Sequence, residues 1–287
     1  MIASGKIERI NPDLLILSDK QHEMADYLFP GRTVITINKS KYNSSLAYRR
    51  EINAVIDRVS VGRLYHLTPH RDNALFDAEC IVKRMTASEK IGFKAKYNNS
   101  HYSELISWDK NAFIKEAYNF NMKEKQVVKS VDNDTGNVVK SNGGRGHFVL
   151  LVNVASDKHR LIPERLINYI NHKFKDKNPI ITIDQPVPIN ELVTRIKDAY
   201  MIVTTDSFVS HLAVILGRRA VVIAGKGSQR FLDPTNFNVV TDDPCAYENC
   251  DWLCRYKIND NYKCIESIKE VTLDNALNQF INQYRSL

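Results

Sequence analysis

Apolar positions along this chain fall into two alternating patterns: short, β-branched runs and longer stretches with an apolar residue every three or four positions. The run Asp13-Leu-Leu-Ile-Leu-Ser18 predicts a strand, and Met24, Leu28 and Phe29 ahead of Pro30-Gly31 predict a helix. Thr33-Val-Ile-Thr-Ile37 predicts a second strand, residues 46–59 an amphipathic helix, and Arg63-Leu-Tyr-His-Leu67 a third strand stopped by Pro69. Leu75, Cys80, Ile81, Val82 and Met85 recur at helical spacing, and Lys90-Ile-Gly-Phe93 reads as one more short strand.

The pattern breaks between Tyr97 and Gly146, where Tyr, Asn and Lys abound. Residues 130–146 are a polar run rich in Asn and Gly, and a helix is expected at about 112–120. We therefore expect an N-terminal domain over 1–122, a linker or surface loop over 123–146, and a C-terminal domain over 147–287. In the last of these, strands are predicted at 148–153, 179–183, 201–205 and 219–224, with helices at 163–174, 190–199 and 209–216 between them. Pro163 is expected at the first helical position. A helix from Leu273 to about Tyr284 ends the chain. Strands alternating with helices imply parallel sheets covered on both faces, so the fold class is α/β with two doubly wound, Rossmann-like domains.

Composition narrows the function. With 43% hydrophobic residues, 25% charged, 11 Gly and 9 Pro among 287 residues, the disordered and fibrous classes are excluded. No run approaches the roughly 18 apolar residues of a membrane span. Met1-Ile2-Ala3-Ser4-Gly5-Lys6 lacks the apolar core of a signal peptide, so a cytoplasmic protein is expected. Lys and Arg total 40 against 33 Asp and Glu, a net +7 that favours phosphate-bearing partners, with peripheral contact to an anionic membrane among them. Nucleic acid is not expected, because aromatics interleaved with Lys and Arg and paired Cys knuckles are both missing.

Ligands of parallel sheets bind beyond the carboxyl ends of the strands, which makes the strand-end residues the chemical candidates. After the strand ending at Asn153 comes Ala155-Ser-Asp-Lys-His-Arg160, placing Ser156, Lys158, His159 and Arg160 near a helix N-terminus that favours an anion. Otherwise this is a capped, solvated basic turn. After Thr205 come Asp206 and Ser207, natural N-cap residues, with His211 one turn later. Asp19 follows the first strand and Asp72 lies in the His70-Arg71-Asp72-Asn73 turn; each is either a helix cap or a base.

The stretch Glu191-Leu192-x-x-x-Ile196-x-x-Ala199, leading into Ile202-Val-Thr-Thr-Asp206-Ser-x-x-x-His211-x-Ala213, resembles the donor-domain signature of the bacterial heptosyltransferases, glycosyltransferase family nine. Leu150 to Arg160 before Pro163-Glu164, Ala87-Ser88-Glu89-Lys90-Ile91-Gly92 and Cys264-Ile265-x-x-Ile268 agree, so the resemblance spans about residues 30–285. It implies the B-type fold, in which two Rossmann-like domains face a cleft, both abbreviated here. It implies an inverting, metal-independent transfer of a sugar such as heptose from a nucleotide-diphosphate donor to a lipopolysaccharide or other surface-polysaccharide acceptor. Donor contacts would fall on Ser156, Lys158, His159, Arg160, Asp206, Ser207 and His211, with Asp184 as a substitute acidic ribose or base contact.

The chain departs from that family in three places. Phe208 stands where well-studied members carry Gly, the opening Gly-Asp turn with its catalytic base is missing, and the donor half is one αβ unit short. Asp19 or Asp72 would have to serve as the base; failing that, the chain is a non-catalytic nucleotide-sugar-binding or assembly module. Lys39, Lys41, Arg49, Arg50 and Arg71 suit a phosphorylated or lipid-linked acceptor, or are solvated surface. Cys245, Cys250, Cys254 and Cys264 crowd into twenty residues. They read as structural thiols, reduced or partly disulfide-linked, with tetrahedral zinc as the alternative. No soluble cofactor is expected.

Overall fold

The computed structural model describes residues 12–67, 77–94, 99–107, 147–155, 157–243, 257–259 and 261–285. The chain divides into two compact units, residues 2–122 and 123–287. Asp72, Ser156, Cys245, Cys250, Cys254, Arg71, the expected helix at 112–120 and the expected linker at 123–146 lie outside the described residues.

In the first unit, β1 (Leu14–Ser18) runs through a short 3-10 turn into α1 (His22–Leu28) and β2 (Thr33–Ile37). The two strands pair in parallel, with Leu14 opposite Thr33 and Ser18 opposite Ile37. Two helices follow where one was expected: α2 (Lys39–Ser44) and α3 (Leu46–Ile56). Ser45 separates them in extended backbone and caps α3 with its side chain. β3 (Ser60–His66), α4 (Asp77–Arg84), β4 (Thr86–Phe93) and β5 (Glu104–Ile106) complete the unit, in a parallel sheet of order β3-β4-β5. Ile37, Tyr42, Ile52, Ile56, Ile81 and Met85 form one core cluster, joined by Ile16, Ile35, Val61 and Leu64 from the strands. At Gly92 in β4, an added Cβ would meet the Tyr102 ring at 2.4 Å. The bare backbone there lets Tyr102 OH approach Nδ1 of the buried His66 to 2.5 Å.

The second unit is a five-stranded parallel sheet. Its elements in chain order are β6 (Val149–Val152), α5 (Glu164–Phe174), β7 (Ile180–Ile183), α6 (Ile189–Asp198), β8 (Met201–Thr205), α7 (Phe208–Ile215), β9 (Val221–Ile223) and β10 (Phe237–Val239). A hairpin, β11 (Lys257–Ile258) and β12 (Asn261–Tyr262), precedes the short α8 (Lys263–Glu266) and α9 (Glu270–Arg285). β6 and β8 are buried along their whole length, as their unbroken apolar runs require in a sheet covered on both faces. Val149 and Leu151 pack with Leu166, Ile170 and Phe174 of α5 and Leu273, Leu277 and Phe280 of α9. The alternate residues Leu150, Ile202 and Val222 are also fully buried, on the opposite face. Pro163 and Pro188 occupy the N-cap positions of α5 and α6, one residue earlier than the expected first helical position for Pro163.

Strand order decides where a ligand belongs. The order is β10-β9-β8-β6-β7, so the chain leaves β6 toward one edge and then returns to build β8, β9 and β10 toward the other. The direction reverses between β6 and β8, and in a doubly wound sheet the crevice beyond the strand ends opens at such a point. Among the described residues no helix is long and apolar enough to cross a membrane.

Candidate functional site

The segments leaving β6 and β8 meet at this reversal. β6 ends at Val152, and Asn153 Oδ1 accepts from the Ile162 N–H at 2.7 Å, folding the intervening chain back on itself. Residues Lys158–Arg160 form a single 3-10 turn capped by Asp157, whose Oδ1 accepts from the His159 N–H at 3.0 Å. On the other side, the Thr205 hydroxyl donates to the Val154 carbonyl at 3.3 Å, which ties the end of β8 to the chain leaving β6.

Arg160 joins the two segments. Its Nη1 donates to the Asp206 carbonyl at 3.3 Å and lies 3.6 Å from Asp206 Oδ2, with both side chains largely out of solvent. That second distance is a charge contact, and Oδ2 accepts no hydrogen bond among the described residues. A buried carboxylate with spare acceptor capacity, beside a guanidinium, fits a polar ligand at this spot.

Ser207 is the N-cap of α7 and accepts from the Val209 N–H through Oγ, while Ser210 donates back to the Ser207 carbonyl at 2.7 Å. His211 stands one turn into the helix. Burial pushes its imidazole below the ordinary range, and the charges of Asp206 and Asp233 pull against that. It is therefore held as a neutral ring at pH 7, able to donate from one nitrogen and accept at the other. Asp233 is itself buried and accepts from the Thr235 N–H and hydroxyl. Phe208, partly exposed, opens α7.

Of the candidates in this unit, Arg160, Asp206, Ser207 and His211 come together, and Lys158 and His159 belong to the same turn. Asp184 is exposed just after β7. In the other unit, Asp19 follows β1 in the 3-10 turn, where its Oδ2 accepts from Asn38 Nδ2 at 2.6 Å and its Oδ1 from the Ser18 hydroxyl. Asn38 occupies the corresponding strand end of β2 and is fixed in turn: its Oδ1 accepts from the Lys41 N–H and its own N–H donates to Tyr48 OH. Lys39, Lys41 and Arg50 are exposed nearby on α2 and α3, but Arg49 is spent on structure, donating to the carbonyls of Tyr42 and Asn43.

Sequence reasoning overlooked Asp157, Asn38, Tyr262 and Lys257. Asp157 and Asn38 carry a readable signal, since each is a capping residue at a strand end. Tyr262 donates its hydroxyl to Asp157 Oδ2 from 105 residues away, which no local pattern announces. Burial pushes the Asp157 carboxyl up, but the hydrogen bonds from the Tyr262 hydroxyl and the His159 backbone N–H, with the Arg160 charge, outweigh it and leave the carboxyl below its ordinary range. Cys264 is buried against Gly225, where an added Cβ would lie 2.9 Å from its Sγ. Among the described residues, no three His, Cys, Asp or Glu side chains converge as metal ligands.

No protein-family model matches the chain. No curated protein sequence matches it either. Solved structures do. A glycosyl transferase of family 9 from Veillonella parvula has a TM-score of 0.62 at 12% identity, covering 94% of this chain and 88% of that one. The E. coli ADP-heptose lipopolysaccharide heptosyltransferase II has a TM-score of 0.60 at 11% identity, covering 95% and 90%. E. coli heptosyltransferase WaaC with ADP has a TM-score of 0.53 at 11% identity, covering 94% and 99%. At such identities the likeness is one of fold: this chain has the α/β parallel-sheet architecture of the heptosyltransferases, as its own motifs lead one to expect.

Proposed function

We propose that the chain is an inverting, metal-independent glycosyltransferase. It moves a sugar, with heptose the first to test, from a nucleotide-diphosphate donor to a phosphorylated or lipid-linked saccharide of a surface polysaccharide. The observation that carries this reading is the Arg160–Asp206 junction at the reversal between β6 and β8, beside the N-terminus of α7 and the neutral His211. The fold shared with glycosyltransferases supports it, as do the structures of E. coli heptosyltransferase WaaC with ADP and with ADP-2-deoxy-2-fluoro heptose.

In such a reaction the acceptor hydroxyl attacks the anomeric carbon and the bond from that carbon to the diphosphate oxygen breaks. The acceptor loses its proton to a base, and the diphosphate leaves with the bonding electron pair. Charge develops on the departing diphosphate, which preorganised donors and cations stabilise most. Arg160 and Lys158 supply positive charge, and the first N–H groups of α7 supply donors with the helix dipole behind them. Neutral His211 orients a phosphate or sugar oxygen without adding a buried charge, and Asp184 contacts the ribose or base. Ser156 belongs to the same set by sequence. Asp19 is the proposed base: two donors, Asn38 Nδ2 and Ser18 OγH, fix its carboxylate at the end of β1.

The test is release of nucleoside diphosphate from a panel of nucleotide-diphosphate sugars by the full chain in the presence of EDTA. Turnover by the wild type that collapses in Arg160→Ala and His211→Ala supports the enzyme. Binding of a donor with no turnover toward any acceptor extract contradicts it and leaves a binding module.

A further inference from the structure

The β11–β12 hairpin lies far along the chain from the 3-10 turn after β6, yet it is bonded to that turn at two points. Tyr262 OH donates to Asp157, and the Tyr262 ring lies 5.6 Å from the His159 ring. At the hairpin's other strand, Lys257 Nζ is 2.7 Å from His159 Nε2, across 98 residues of sequence. An ammonium can only donate, so Nε2 accepts and the His159 proton resides on Nδ1.

This contact places a fourth basic side chain on a turn that already carries Lys158, His159 and Arg160. The carboxylate of the turn, Asp157, accepts from Tyr262 and His159, and Asp206 after β8 faces Arg160. No carboxylate among the described residues pairs with the exposed Lys257, whose ammonium contacts the His159 imidazole. An ammonium beside a guanidinium-bearing turn, with no carboxylate among the described residues bonded to it, gains most from an anion with several oxygens.

We infer that Lys257 is a further phosphate-binding residue of the donor site, delivered by the β11–β12 hairpin and aimed by His159. The inference rests on the donor-site reading above and adds to it a second chain segment: the hairpin completes the cradle for the diphosphate that the turn and α7 begin. His159 is then a positioning residue, its Nε2 fixing the ammonium while Tyr262 and Asp157 fix the hairpin.

The experiment is equilibrium binding of ADP, UDP, GDP and CDP to the full-length wild type, Lys257→Gln and Lys257→Arg at two salt concentrations. For the diphosphate that the wild type binds, Lys257→Gln should weaken affinity about tenfold or more, as loss of one charge-assisted hydrogen bond implies. It should also flatten the salt dependence, because one screened charge contact has gone. Lys257→Arg should retain most of the affinity. Wild-type affinity in Lys257→Gln overturns the inference and leaves the donor site standing. Equal losses in Gln and Arg variants overturn it too, since they mark a hairpin shape rather than a charge. A wild type that binds none of the four overturns the donor-site reading itself, and this inference with it.

Discussion

Arg160 and Asp206 meet across 46 residues of sequence, the guanidinium reaching from the turn after β6 to the carbonyl and carboxylate that follow β8. Neither residue is near the other in the chain, and each becomes significant only because the sheet reverses direction between those two strands. Truncating Arg160 therefore has two effects. It removes a cation from the proposed diphosphate cradle, and it leaves a buried carboxylate without its compensating charge. We expect Arg160→Ala to lower nucleotide-sugar turnover about a hundredfold or more, in line with loss of a preorganised transition-state contact. It should also lower thermal stability, because an uncompensated buried charge is costly. Arg160→Lys should recover stability better than turnover, which calorimetry and kinetics on the same samples would show.

Asp19 and Asn38 give a separable prediction. If Asp19 takes the acceptor proton, Asp19→Asn lowers turnover by about a hundred- to ten-thousandfold, with donor affinity unchanged because the donor residues belong to the other unit. Asn38→Ala, which frees the carboxylate from its 2.6 Å partner, should lower turnover less and leave donor affinity alone. Steady-state kinetics beside equilibrium donor binding separates the two quantities.

Stability should fall in two steps as the solution is acidified. His211 is held below its ordinary value of 6.5, so the unfolded chain takes up that proton more readily than the folded one. Its contribution is complete above about 6.5 and is lost as the pH drops through the window beneath that value. Asp157 and Asp274 are both held below the ordinary 3.8, the latter chiefly by the Lys173 and Tyr169 hydrogen bonds, so their contributions are present above 3.8 and disappear below it. Thermal unfolding as a function of pH should show both steps in the wild type. His211→Gln should abolish the upper step alone, and Asp157→Asn should shrink the lower one.

Gly92 carries a packing prediction. Alanine there would drive its Cβ into the Tyr102 ring and off the His66 contact, at a cost of about 1–3 kcal/mol typical of overpacking. Chemical denaturation would measure it, and pairing the substitution with Tyr102→Ala should cost less than the sum of the two single changes.

Much of the fold was legible because the long apolar runs leave few choices. Met201-Ile-Val-Thr-Thr205 is a strand at the expected bounds, and Thr33–Ile37 likewise. Elements without a hydrophobic period escaped. β5 and β10 have three residues each and a single buried position apiece, and α2 carries Tyr42 as its lone buried residue. α2 persists through its local Asn38 cap and through the Arg49 bonds to its C-terminal carbonyls, which come from the following helix. The first half of β4, Thr86 to Lys90, is mostly polar and joins the sheet through backbone pairing with β3 and the cross-strand Arg63–Glu89 ion pair. In the candidate site, Arg160, Asp206, Ser207 and His211 were readable because strand ends can be located from sequence. Lys257 was not, since the hairpin that bonds it to His159 sits 98 residues downstream.

If the ends of β6 and β8 form a diphosphate cradle, a crystal structure of the protein with the nucleoside diphosphate it binds will display it. Phosphate oxygens are expected within hydrogen-bonding distance of the Arg160 guanidinium and of the N–H groups opening α7. A diphosphate bound elsewhere on the chain, with Arg160 still closed on Asp206, would contradict it.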